Sequence, residues 1–327
     1  MLVSLPRVKQ YTISNDLLRV SAINFGARTT QVLMNSRARR WIPVILGLPS
    51  IEAYLDDPHY MGATVGRMAG RVSYSQYNDQ DQSVQLQSND GQHHLHGGES
   101  AFSQAFWDST SNLDSIRFNL FSQHGDNGYP GNLKVTHTIR ISGSDLVYRV
   151  EAVCDKNTPF NSTQHNYYNL GGSATINAHS LSIDADSILE LGPQRLPTGR
   201  YIDVKGTQFD FRKARQLAMI QLQHQPQIKA FAGLDHYFVR SNWLGSTPKN
   251  PAPIAELSTS DYRMQVFTNQ PGVQVYTGNG LNPPHQGICI ETQHFPDSPN
   301  HRHFPSVFLE PGDVGLNETR YRFLEID

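Results

Sequence analysis

The feature that most constrains this chain is a period of two. Residues 116–122, 133–142 and 145–154 each alternate apolar with polar side chains, and Gly125-Asp-Asn-Gly128-Tyr-Pro-Gly131 and Ser142-Gly143-Ser144 lie between them as turns. A chain that alternates in this way puts one set of side chains in a core and the other in water only as an extended strand, and short turns join such strands as antiparallel neighbours. The pattern recurs along the chain. Residues 11–38 read as hairpins broken at Asn15-Asp16 and Gly26, and residues 83–87, 181–191, 202–211, 265–268, 273–276 and 317–323 read as further strands. Helix is scarce: 212–221 has a weak helical period, and Leu55-Asp56-Asp57-Pro58 ends a possible helical turn. Neither a low-complexity linker nor a fixed-period repeat divides the sequence. The expectation is an all-β protein, a single large antiparallel β-sandwich occupying residues 1–327.

Composition narrows the partner more than the fold. Only 17% of residues are charged and the formal net charge is −2, with no basic block, so no nucleic-acid partner is expected. An uncharged, polyhydroxylated small molecule suits the abundance of Gln, Asn, Ser and Gly. Residues 1–7 are too short and broken for a signal-peptide core, and the apolar run 41–49 falls far short of a membrane span. No membrane association and a cytoplasmic location are therefore expected. Cys154 and Cys289 each sit in an apolar run, as buried reduced thiols do.

Against this background the candidates for chemistry are polar side chains on apolar strands. In residues 287–293 the β-branched Ile288 and Ile290 mark a buried strand, on which Ile288, Ile290 and Thr292 face one way and Cys289, Glu291 and Gln293 the other. Pro296 and Pro299 stop the strand soon after, so Glu291 is a carboxylate close to a strand end; a structural ion pair would also account for it. Residues 160–170 read as a strand with little to bury, whose alternation puts Thr163, His165, Tyr167 and Asn169 in the wall of a groove. His165 is then either a hydrogen-bonded structural histidine or a proton carrier. Arg67 and Arg71, between small residues, are each a structural tie or a hydroxyl clamp. His93, His94 and His96 invite a metal reading, with His94 and His96 on one strand face, yet no spacing supplies a further ligand and hydrogen bonding to a polar ligand is the better use. Asp235 caps a turn or accepts sugar hydroxyls. Gln274 shares a strand face with Tyr276.

Taken together, several segments resemble the aldose 1-epimerase family. They are Gly66-Arg-Met-Ala-Gly70-Arg71, Asn89-Asp90-Gly91 with Leu95-His96-Gly97-Gly98, Gly128-Tyr-Pro-Gly-Asn-Leu133, Gln164-His165-Asn166-Tyr-Tyr-Asn-Leu170, residues 272–279, and Glu291-Thr-Gln with Phe295-Pro-Asp-Ser-Pro-Asn300. They follow in the family's order over most of the chain. The resemblance implies a supersandwich with an open sugar cleft, Glu291 as general base, His165 as general acid, and Arg71, His96, Asp235 and Gln274 as sugar-binding residues. It implies no cofactor and no metal. Two positions depart from the usual pattern: Gln164 stands where Asn commonly precedes the histidine, and Asp90 replaces a commoner Asn. Interconversion of anomers needs only loss of the C1 hydroxyl proton and protonation of the ring oxygen, which a positioned base and acid supply. At ordinary pKa values Glu291 would be ionised at neutral pH and His165 would titrate nearby. A non-catalytic sugar-binding protein of the same fold and a metal enzyme using His94 and His96 are the alternatives.

Overall fold

The computed structural model describes residues 7–79, 82–218, 225–241, 243 and 252–326. Its two large sheets follow from the alternating runs. A nine-stranded sheet runs in the order Asp108–Ser111, Ser115–Ser122, Leu133–Ser142, Asp145–Cys154, Gly315–Glu325, Tyr262–Thr268, Ala255–Ser258, Ser180–Ile183, Arg215–Gln216, every neighbour antiparallel. A six-stranded antiparallel sheet runs Tyr167–Tyr168, Ile288–Gln293, Gly272–Tyr276, Asp235–Arg240, Ala185–Leu191, Pro197–Asp203. A four-stranded meander, Gln10–Ser14 to Trp41–Pro43, contributes Leu18, Val20 and Val32 to the same core.

The sheets meet face to face. Val135, Ile139, Val150 and Phe323 of the larger sheet share one apolar cluster with Val273, Val275, Ile288 and Ile290 of the smaller. At about 25 cal/mol per Å² of apolar surface removed from water, burial of such side chains is the main term holding the layers together. Polar ties lock the alignment: the Tyr321 hydroxyl donates to the Ile290 carbonyl at 3.2 Å, and Asn317 donates to the carbonyls of Ser162 and Thr292. The strand Ile288–Gln293 is buried on both faces, because Ile288 and Ile290 enter the core while on the other side Glu291 and Gln293 line the cleft floor and Cys289 packs in a second apolar cluster with Tyr167.

Two expectations need correction. Residues 160–170 are not one groove-lining strand; Thr163–Gln164 and Tyr167–Tyr168 pair with different partners, and every residue from 160 to 170 is buried. Of the four residues that alternation placed in a groove wall, His165 and Tyr167 line the cleft, whereas the Asn169 side chain donates to the carbonyls of Ser173 and Gln286 instead. The weak helical period at 212–221 holds only at its described end, where Ala218 is α-helical; Arg215–Gln216 forms a strand instead, and residues 219–221 lie outside the described residues. Pro226–Ala230 forms a short α-helix, and among the described residues no helix is long and apolar enough to cross a membrane.

Candidate active site

A cleft of about 170 Å³ opens on the outer face of the six-stranded sheet. Glu291, Gln274 and Asp235 come from three adjacent strands: Gln274 pairs in register with Glu291, and Asp235 pairs with Tyr276. Opposite them, the pair Arg71–Val72 and His94–Leu95 carries Arg71 and sets His96 just past its end. His165 is held by its backbone, whose N–H donates to Ala63 and whose carbonyl accepts from Gly62. All six residues singled out from the sequence therefore line one cleft.

His165 Nε2 lies 3.6 Å from Glu291 Oε1, and both side chains are almost wholly buried. Desolvation governs their charge. Burial, reinforced by Asp235, pushes Glu291 well above the ordinary carboxylate range, and burial lowers His165 to about 4. The ionised glutamate and near-neutral histidine expected at ordinary pKa values are thus replaced by a pair driven toward mutual neutrality. The other edge of the ring is also occupied, since Cys289 Sγ lies 3.6 Å from His165 Nδ1. Burial holds that thiol protonated by pushing its pKa well up.

The remaining polar groups are ordered by one another. Gln274 Nε2 donates to Asp235 Oδ1 at 2.8 Å, and Arg195 Nη1 lies 3.5 Å from Asp235 Oδ2. Arg71 Nε donates to Asp90 Oδ2 at 2.7 Å, so the unusual Asp90 anchors the arginine, directing it across the cleft. The Gly70 N–H donates to His96 Nδ1 at 3.3 Å, which assigns the proton of a neutral ring to Nε2. His96 stays neutral because burial, the neighbouring His165 and Arg71 all lower its pKa. Tyr60 packs edge-on against His96 at 4.7 Å between centroids and 5.9 Å from His165, and with Tyr167 and Tyr276 supplies aromatic wall.

Structure separates residues that the sequence left equivalent. Arg67 is wholly internal, donating to the carbonyls of Ser122, Gln123, Pro130 and Gly131 and to the hydroxyls of Ser122 and Thr158. It is a tie, and Arg71 is the arginine at the cleft. His94 is likewise saturated: Nδ1–H donates to the Gln87 carbonyl at 2.6 Å, and Nε2 accepts from the Tyr129 hydroxyl at 2.7 Å. No lone pair is left on it for a metal. His165, Cys289 and Glu291 do bring potential ligand atoms within 4.8 Å of one another, but the imidazole meets the thiol with Nδ1 and the carboxylate with Nε2. In this arrangement both ring nitrogens already face a partner, one the thiol and the other the carboxylate.

Sequence reasoning passed over Tyr60, Arg195 and Gln293. Arg195 sits in a turn at φ +61°, and Tyr60 at φ +54°, where periodicity gives no signal. Gln293 had one, its shared strand face with Glu291.

Comparison with known proteins gives the arrangement its context. The chain is 34% identical to human galactose mutarotase over 329 aligned residues, covering 97% of this chain and 94% of that protein. It is also 34% identical to Escherichia coli aldose 1-epimerase, covering 86% and 84%. Its fold superposes on the crystal structure of galactose 1-epimerase from Lactobacillus acidophilus with a TM-score of 0.86 at 30% identity, over 98% of this chain and 99% of that one. An aldose epimerase homologue from C. elegans gives a TM-score of 0.89 at 26% identity, over 98% and 100%. With residues 9–322 matching the family description "Aldose 1-epimerase", the chain belongs to the aldose 1-epimerase family.

Proposed function

We propose that this protein is a mutarotase, an isomerase that interconverts the α and β anomers of an aldohexose such as galactose or glucose by acid–base ring opening and reclosure. The single observation that carries the mechanism is the buried Glu291–His165 pair, 3.6 Å apart in a cleft that also holds Arg71, His96, Asp235 and Gln274. A cleft that only held sugar would gain nothing from burying an acid and a base together.

The proton count of the pair matches the chemistry. To open a cyclic sugar, Glu291 as carboxylate takes the C1 hydroxyl proton, while the proton on His165 Nε2 passes to the ring oxygen and the C1–ring-oxygen bond breaks. Glu291 is then protonated and His165 neutral, the state that desolvation favours. Rotation about the C1–C2 bond exposes the other aldehyde face. Closure reverses both transfers: Glu291 returns its proton to the carbonyl oxygen, and His165 takes one from the attacking hydroxyl. In the absence of sugar, moving one proton between Oε1 and Nε2 interconverts the two arrangements. No step calls for a metal, cofactor or covalent adduct, since a positioned base and acid each supply about 10²- to 10⁴-fold.

Arg71 and the Nε2–H of His96 donate to sugar oxygens near the reacting centre, and Asp235 and Gln274 fix ring hydroxyls. A cytoplasmic location is part of the same reading, supported by two free cysteines, which suit a reducing compartment. Glu291→Gln is expected to fold and bind sugar yet lower the mutarotation rate, read by polarimetry, about 100-fold or more. Near wild-type turnover in that variant would remove Glu291 from the mechanism.

A further inference from the structure

Gln293 is 1% exposed, lines the cleft, and neither its Nε2 nor its Oε1 has a hydrogen-bond partner in the protein. An unpaired buried amide is costly, and native proteins rarely leave both ends of one unsatisfied. Its surroundings explain how it stays open. At Gly70, φ is +75°, and a Cβ there would fall 2.8 Å from Pro296 Cβ and 3.7 Å from Gln293 Nε2. Pro296 thus enforces a bare backbone beside the amide, and no neighbouring side chain caps it.

We propose that Gln293 is a substrate-binding residue, whose amide pairs with a sugar hydroxyl away from the anomeric carbon. This rests on the mutarotase reading above. Gln293 follows Glu291 by two positions on the same strand face, which sets it about 6.6 Å farther along the cleft floor. With C1 held at Glu291, that distance brings the amide to the hydroxyls on the far part of the ring. A hydroxyl both donates and accepts, so it suits an amide with both functions unused.

The test is Gln293→Leu, with Gln293→Met as a second variant, assayed for mutarotation of D-galactose and D-glucose and of the monodeoxy derivatives of the better substrate. The expected result is a KM raised about 10-fold or more, with kcat within a few-fold and Tm unchanged or higher, because an unsatisfied amide has been replaced by an apolar group. One deoxy sugar should bind wild type as weakly as it binds the variant, which identifies the hydroxyl. An unchanged KM in both variants overturns the proposal and assigns the amide to internal water; so does equal further loss with every deoxy sugar. Failure of the mutarotase reading is distinct: wild type itself would equilibrate none of the sugars.

Discussion

Burial acts on Glu291 and His165 in opposite directions to one end, the neutral pair, and the ring's orientation then decides which nitrogen carries the mobile proton. The proposed mechanism requires Nδ1 to keep its hydrogen in both states, and Nδ1 lies 3.6 Å from Cys289 Sγ. On that mechanism Cys289 would act as a positioning residue through His165. Cys289→Ala is expected to lower kcat about 10-fold with KM little changed, and Cys289→Ser, which restores an acceptor, to recover most of it. ¹⁵N shifts of the ring at neutral pH should report a protonated Nδ1 in wild type; a protonated Nε2 alone would sink this role. Gln164, the departure that precedes the histidine, does not touch the imidazole: its amide donates to the Gly62 carbonyl at 2.6 Å and accepts from the Thr64 hydroxyl. Strand alternation was enough to put Cys289, Glu291 and Gln293 on one face. It could not reveal their charge states, because desolvation depends on what covers that face, and the cover comes from residues 58–60, 70–71 and 95–96.

At the scale of elements, the segment 66–72 does two jobs with two similar arginines. Arg67 gathers carbonyls from residues 122–123 and 130–131, joining the end of one long strand to the start of the next. Arg71 makes a part-exposed ion pair with Asp90, a kind of contact worth about 0–1 kcal/mol. Arg67→Met should therefore destabilise the fold by about 3 kcal/mol or more, since several buried acceptors lose their donor together. Arg71→Met should leave the denaturation midpoint nearly unmoved while raising KM about 10-fold. The reverse pattern, by urea titration and polarimetry, would show the roles misassigned. The long hairpin strands were legible because each buries a single face, as in Leu133–Ser142, where inward Val135, His137 and Ile139 alternate with outward residues. Residues 160–170 were not, because they are buried throughout and their backbone changes partners midway, so alternation carries no information about where they turn.

Across the whole molecule, the same desolvation that tunes the cleft has an effect on stability. His137, His165, His179 and His236 are all buried, and burial lowers them to about 3, 4, 4 and 3 respectively. In the unfolded chain each would titrate near 6.5, as would His94, His96 and His294, which burial also lowers, so between about pH 6 and pH 4.5 the unfolded state binds up to seven protons that the native state refuses. Glu291 and Asp235, raised by burial, act in the opposite direction. The lowered histidines outnumber the raised carboxyls, so stability rises with pH across this window, by about 1.4 kcal/mol per unit for each proton in excess on the unfolded chain. Acidification from pH 6 to pH 5 should lower Tm by about 5 °C or more for a chain of this length. His137 lies outside the cleft, its Nδ1 2.8 Å from the Thr64 hydroxyl, which makes it the cleanest probe. His137→Gln should flatten the slope by about 1.4 kcal/mol per pH unit while leaving the pH profile of mutarotation unchanged. A Tm constant between pH 6 and pH 5 would mean that these histidines are protonated in the folded protein. The neutral His165 required at the open-chain stage would then fail with them, which ties a calorimetric measurement on the fold to the proton inventory of its cleft.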